Sequence, residues 1–207
     1  MTRYAMAIDT KRCFGCETCA VACKMSNNLP ADVWYNVVHT DGGDHKDSAA
    51  GTFPNVTMRY LPVACQHCSN PACVAACPTG ASAVDPETGI VTVDDTLCIG
   101  CDSCIAACPY EGVRTHIADD AVYPIEIALG DVAAPAHTGS TVEKCNFCKP
   151  RVDRGEVPAC MQLCPGRARY WGDLDDPESE ISQVVAGREY EKLLEDSGTE
   201  PNVFYLI

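Results

Sequence analysis

Apolar residues in this chain come in short bursts rather than long runs. No segment approaches the roughly 18 unbroken apolar residues of a membrane helix. Three bursts, Ala20-Val21-Ala22, Val74-Ala75-Ala76 and Ile105-Ala106-Ala107, have the length of one helical turn, and each lies between two cysteines. Alanine favours the helix and lets neighbouring groups approach closely. A fourth turn, Met161-Gln162-Leu163, is bulkier. Ordinary core packing also fills helical turns this way, but here the flanking cysteines recur at all four. The Pro86-Glu87-Thr88-Gly89 stretch predicts a hairpin turn between short strands on either side, within Ala83–Val93. A further strand is predicted over Ala168–Gly172, and Asn202–Ile207 is strand-like and expected to pack back on the body. Ile181–Leu194 predicts a helix, broken or capped near Gly187. Asn27–Asn55 and Asp119–Thr141 read as long surface loops, where a partner would be sought. The first holds Asp41-Gly42-Gly43-Asp44 but lacks the lysine and serine of a phosphate loop.

Cysteine changes the picture most. The 207 residues include 16 cysteines, and all fall into four groups. Cys13, Cys16, Cys19 and Cys23 are spaced C-x2-C-x2-C-x3-C. Cys65, Cys68, Cys73 and Cys77 are spaced C-x2-C-x4-C-x3-C, followed by Pro78. Cys98, Cys101, Cys104 and Cys108 repeat the first spacing, followed by Pro109. Cys145, Cys148, Cys160 and Cys164 have eleven residues inserted before Cys160, and Pro165 closes the group. None is left for a disulfide or a free thiol. Zinc sites use separated C-x2-C pairs, so the triple run with a trailing C-P is not a zinc pattern. Secreted disulfide scaffolds are usually shorter chains.

The third group matches the bacterial ferredoxin run in full. Three cysteines in a tight loop wrap three corners of one [4Fe-4S] cubane. The next three residues make about one helical turn, carrying the last thiolate away, and proline stops the turn. In two-cluster ferredoxins that last cysteine binds the other cluster. The groups therefore act in linked pairs, as an internal repeat. Groups two and three lie close together, so nested pairing is expected. One cluster would then take Cys13, Cys16, Cys19 and Cys164, and a second Cys145, Cys148, Cys160 and Cys23. A third would take Cys65, Cys68, Cys73 and Cys108, and a fourth Cys98, Cys101, Cys104 and Cys77. Sequential pairing, one with two and three with four, is the alternative. The expected fold is α+β, with two nested ferredoxin-like units and long loop insertions. Residues 56–118 form the inner unit, and 1–55 with 119–207 the outer unit and a C-terminal extension.

The net charge is −14, before clusters that add about −2 each with their thiolates. This argues against a nucleic-acid partner. Acidic residues gather around Asp173–Glu180 and Glu189–Glu200 and read as a solvated face. The first residues, Met1–Met6, carry no long apolar stretch and no twin arginine. The expected location is cytoplasmic, with export alongside a signal-bearing partner left open.

The assembled pattern resembles the four-cluster iron–sulfur subunit of the dimethyl sulfoxide reductase family of molybdopterin oxidoreductases. The resemblance rests on Ile8-Asp9 before Cys13-Phe14-Gly15-Cys16, and on Leu61-Pro62-Val63-Ala64 leading into Cys65-Gln66-His67-Cys68-Ser69-Asn70-Pro71-Ala72-Cys73. It continues through Cys108-Pro109-Tyr110, Lys144-Cys145-Asn146-Phe147-Cys148, Arg151-Val152-Asp153, Pro158-Ala159-Cys160, Gly172-Asp173-Leu174 and the tail Pro201–Leu206. Pro165-Gly166-Arg167-Ala168 departs from the usual Pro-Thr-Gly-Ala. The resemblance implies nested clusters and a large catalytic subunit bearing a molybdopterin cofactor. It also implies a membrane anchor, cytochrome or flavin as the further redox partner. A free-standing polyferredoxin, or the equivalent subunit of a formate dehydrogenase or hydrogenase complex, is the alternative. Nothing in the sequence pairs a nucleophile with a base, so the chain is not expected to catalyse a reaction by itself.

Among His39, His45, His67, His116 and His137, only His67 lies inside a cysteine group, and the resemblance favours a supporting role over ligation. Lys144, Lys149, Arg151 and Arg154 crowd the fourth group, either raising a cluster's potential or compensating charge. Trp34 and Trp171 read as packing or interface residues rather than redox stations.

Overall fold

The computed structural model describes residues 2–42, 47–125 and 127–207. His45, and the Gly43-Asp44 half of the expected Asp41–Asp44 loop, lie outside the described residues. The chain opens with β1 (Tyr4–Asp9), α1 (Thr18–Ser26), β2 (Asn36–Asp41), β3 (Ala50–Thr52), β4 (Asn55–Thr57) and β5 (Arg59–Ala64). Next come α2 (Ala72–Ala75), the hairpin β6 (Ser82–Val84) and β7 (Val91–Val93), α3 (Ser103–Ala106), β8 (Arg114–Ile117) and β9 (Thr141–Lys144). It closes with α4 (Lys149–Val152), α5 (Ala159–Gln162), β10 (Arg169–Asp173), α6 (Glu180–Gly187), β11 (Tyr190–Glu191) and β12 (Val203–Leu206).

One four-stranded sheet, in the order β10-β1-β12-β11, joins the two ends of the chain. β1 runs antiparallel to β10, with Met6 opposite Trp171, and parallel to β12, with Met6 opposite Val203. Successive strand residues face opposite sides. Ala5, Ala7, Phe204 and Leu206 therefore pack on Ile181 of α6. Met6, Ile8, Val203 and Tyr205 pack on the other side with Ile90, Phe147 and Trp171, bordering Cys145 and Cys160. The helices flanking the cysteines are single turns, apart from α1, because proline precedes or follows them closely.

Two expectations change. The stretch from Asn27 to Asn55 is not a plain loop. β2 pairs with β5 from Asn36↔Ala64 to Asp41↔Arg59, and Leu29, Val33 and Tyr35 are buried beside Cys23. Their apolar side chains are spread among polar neighbours, so no period announced them. The helix expected over Ile181–Leu194 stops at Gly187, where a poor helix former meets extended backbone at Arg188 and the chain becomes β11. Its start is capped by the Ser179 hydroxyl, which accepts the Ser182 N–H. The described residues of Asp119–Ser140 stay irregular, with Val122, Ile127 and Leu129 exposed. Among the described residues no helix is long and apolar enough to cross a membrane.

Ile181 is fully buried between α6 and the sheet, on the face away from the cysteines. Ile181→Ala should cost about 2–5 kcal/mol of stability. A lowered thermal midpoint, with iron per chain unchanged, is the expected outcome. Loss of iron at low temperature would show that the sheet and the metal centres are one cooperative unit.

Candidate metal centre

The first C-x2-C loop of each group turns on a left-handed residue in third position: Gly15 (φ 71°), His67 (φ 45°), Gly100 (φ 62°) and Phe147 (φ 54°). Left-handed residues within such loops aim successive backbone N–H groups into one concavity, which suits an anion. Two positions need glycine outright. A Cβ at Gly15 would lie 2.4 Å from the Tyr60 ring, and one at Gly100 would lie 2.4 Å from the Ser140 carbonyl oxygen. His67 and Phe147 carry the strain of a side chain there and stack on each other, with ring centroids 3.6 Å apart and planes 19° apart.

The loops gather the thiols into four sets. Cys13, Cys16, Cys19 and Cys164 line one cavity. Cys23, Cys145, Cys148 and Cys160 line a second, with Cys65 at its edge. Cys77, Cys98, Cys101 and Cys104 line a third. Cys68 and Cys108 each face both Cys65 and Cys73, which makes the remaining set. We number these sets I, II, IV and III respectively. Neighbouring sets approach through Cys19 and Cys160 (I and II), Cys65 and Cys145 (II and III), and Cys73 and Cys104 (III and IV). The order is thus I–II–III–IV. Cys16 and Cys101, at opposite ends of this row, are exposed, whereas Cys23 and Cys148 in set II and Cys65, Cys68 and Cys73 in set III are buried.

The sulfurs are met by hydrogen-bond donors. Backbone N–H groups of Ser82, Val142, Phe147 and Ala168 donate to Cys77, Cys98, Cys145 and Cys164, each at 3.4 Å. Hydroxyls two residues on lie 3.4 Å from Cys16 (Thr18) and Cys101 (Ser103), and 3.7 Å from Cys77 (Thr79). Arg114 donates to Cys73 at 2.9 Å.

Comparison with known proteins gives this donor set a class. A family model described as a 4Fe-4S dicluster domain matches residues 56–123 and 131–174, more than half of the chain. A Halobacterium salinarum protein, named provisionally as a dimethyl sulfoxide reductase iron–sulfur subunit, is 42% identical and covers 100% of this chain and 79% of its own. A selenate reductase subunit of Mesobacillus selenatarsenatis is 38% identical, covering 99% of this chain and 72% of its own. The arsenate respiratory reductase iron–sulfur subunit of Shewanella sp. is 34% identical, covering 99% and 96%. The chain belongs to this family. It is an iron–sulfur electron-transfer subunit of the dimethyl sulfoxide reductase type.

Three features of the subunit's own residues fit [4Fe-4S] clusters. Burial pushes the thiol pKa of Cys23 and Cys145 up, and repulsion from neighbouring thiols adds to it. A set so arranged cannot ionise fully without a cation among its members. At the exposed end, burial is outweighed by donors from Ser82, Thr79 and Gly80, and Cys77 is brought down to about 7. Among the described residues the buried donors Asn36 Nδ2 and Arg114 Nε have no hydrogen-bond partner. Cluster sulfides would supply acceptors; an unmet buried donor otherwise costs about 1–3 kcal/mol. Finally, the thiols of sets I, II and IV line cavities, as the corners of a cubane require.

The basic residues divide unexpectedly. Lys149 pairs with Asp85 and Asp153, and Arg151 and Arg154 pair with Asp131 and Glu156, so their charge is neutralised locally. Lys144 is buried and donates to the carbonyls of Val91 and Cys145. Two arginines that the sequence did not single out, Arg114 and Arg169, lie among the cysteines instead. Their only sequence signal is position, six residues after Cys108 and five after Cys164. His67 accepts the Val91 N–H at Nδ1 (3.2 Å), and burial, Lys144 and Arg114 hold its pKa well below the usual value, so it is a neutral ring. Trp171 packs edge-on to Phe147 and stacks on Tyr4, while Trp34 lies under the Lys24 ammonium. His137 is bound by Glu143 and by the Asn27 carbonyl, tying the second irregular stretch to the end of α1.

Gly100→Ala should break one loop, since the left-handed backbone and the Ser140 carbonyl both oppose a Cβ. The expected result is a loss of about four irons per chain, one cubane, with the remaining iron in place. Full iron in this variant would show that the loop can rebuild around a side chain.

Proposed function

We propose that the subunit holds four [4Fe-4S] clusters in the row I–II–III–IV and carries electrons between a redox partner and a molybdopterin-bearing catalytic subunit. The observation that carries this reading is the gathering of sixteen thiols into four sets, each taking its fourth member from a different cysteine group. Nested ligation follows: Cys164 completes set I, Cys23 set II, Cys108 set III and Cys77 set IV. On this reading residues 56–118 form the inner ferredoxin-like unit, and the segments around them the outer one. When bound, such clusters supply one-electron carriers. The chain's own part is to fix their order, to keep water from the two middle sets and to expose Cys16 and Cys101 at the ends. Phe14 and Ile99, beside those cysteines, are exposed as well and form apolar approaches for two different partners. The relatives named as subunits of selenate and arsenate reductases support a catalytic subunit as one of them. A membrane anchor, cytochrome or flavin protein would be the other.

Anaerobic purification with native partners should give about sixteen irons per chain, four per cubane, together with molybdenum or tungsten. Iron without molybdenum or tungsten would shift the reading to a polyferredoxin shuttle or another redox complex. Ligation is tested by paired serine variants. Cys16→Ser and Cys164→Ser should perturb the same electron paramagnetic resonance signal. If Cys164→Ser instead altered the signal that Cys101→Ser alters, the pairing would be sequential.

A further inference from the structure

Among the described residues three cations are almost wholly buried: Lys144 (4% exposed), Arg114 (5%) and Arg169 (6%). Among the described residues none of them has a carboxylate within ion-pair distance, although acidic side chains outnumber basic ones 29 to 15. An unpaired buried charge is costly, so each needs a counter-charge. Lys144 is accounted for by two backbone carbonyls. The two arginines are not.

Arg169, on β10, borders the cavities of both set I and set II. Its guanidinium lies 3.7 Å from Cys160 Sγ, 3.0 Å from Met6 Sδ and 3.5 Å from Asn36 Oδ1. The sulfurs of Cys160 and Cys19, one from each set, face it and favour its charge. Arg114, on β8, donates to Cys73 Sγ at 2.9 Å and to Ser82 Oγ at 3.2 Å. Its charge is favoured in the same way by Cys73, Cys65 and Cys104. The two positions are equivalent. Arg169 faces the third cysteine of group one and of group four, and Arg114 the third cysteine of group two and of group three. One arginine thus spans sets I and II, and the other spans sets III and IV.

We propose that Arg169 and Arg114 are shared counter-cations, each held between two clusters and raising the reduction potential of both. The inference rests on the filling of the four sets by cubane clusters. A fixed positive charge favours the more negative, reduced form of each neighbour. Because one charge serves two clusters, it raises both potentials and leaves the step between them little changed.

The test is a potentiometric titration, followed by electron paramagnetic resonance, of the purified complex carrying Arg169→Gln or Arg114→Gln. Arg169→Gln should lower the reduction equilibrium of the clusters in sets I and II by at least tenfold, about 59 mV for one electron. Sets III and IV should stay in place, and Arg114→Gln should give the mirror result. Arg169→Lys and Arg114→Lys should recover most of the lost potential. Unchanged potentials with full iron would overturn the inference, as would equal shifts at all four clusters. Should a glutamine variant lose the iron of its two neighbouring sets, the lysine variant decides. Full iron and near-native potentials with lysine support the role of charge; continued loss assigns the arginine to shape alone and overturns it. Wild-type complex with far fewer than about sixteen irons would refute the cluster reading itself, a different failure.

Discussion

Sixteen cysteines brought together inside so small a chain set like charge against like charge, and the rest of the structure is arranged around that repulsion. Isolated thiolates at Cys23 or Cys145 are opposed first by burial and then by each other. Iron would remove most of the conflict by putting positive charge at the centre of each set it fills. What remains is met by N–H groups turned inward by left-handed loop residues, by hydroxyls of Thr18, Thr79 and Ser103, and by two buried guanidiniums. The sheet, the short helices and the hairpins hold these donors in place.

The same constraint explains why surface lysines and arginines near the fourth cysteine group contribute less than their number suggests. Lys149, Arg151 and Arg154 each sit against carboxylates, so their charge is paired locally and their field at the cysteines is reduced. Arg114 and Arg169 sit in low dielectric without carboxylates, where one charge acts strongly over several ångströms. Proximity in sequence and proximity in field are different quantities, and here they select different residues.

Cysteine spacing made the cofactor class legible, since a thiolate's reach from a tight loop is set by covalent geometry. The hairpin over Ala83–Val93 and the strands at Ala168–Gly172 and Asn202–Ile207 were legible for the same local reason: turn residues and β-branched or aromatic runs act over a few positions. The strand within Asn27–Asn55 was not. Asn36–Asp41 reads Asn-Val-Val-His-Thr-Asp, without apolar–polar alternation, and only its pairing with Arg59–Ala64 makes it a strand. Arg114 and Arg169 were equally silent, because a buried arginine reads like any other until its neighbours are known. The His67–Phe147 stack joins residues eighty positions apart, beyond any local signal.

The meeting of β1 with β12 has a bearing on how the protein comes into being. The inner sets have all their thiols once Cys108 has been made, whereas sets I and II wait for Cys160 and Cys164, and the sheet waits for Leu206. Closing so long a loop is slow and entropically costly. During synthesis the early thiols Cys13, Cys16 and Cys19 therefore spend most of the translation time without their fourth companion, open to oxidation and to stray metals. On the proposed nested pairing, the outer sets can take up their clusters only after Cys160 and Cys164 have been made, long after the inner sets are complete.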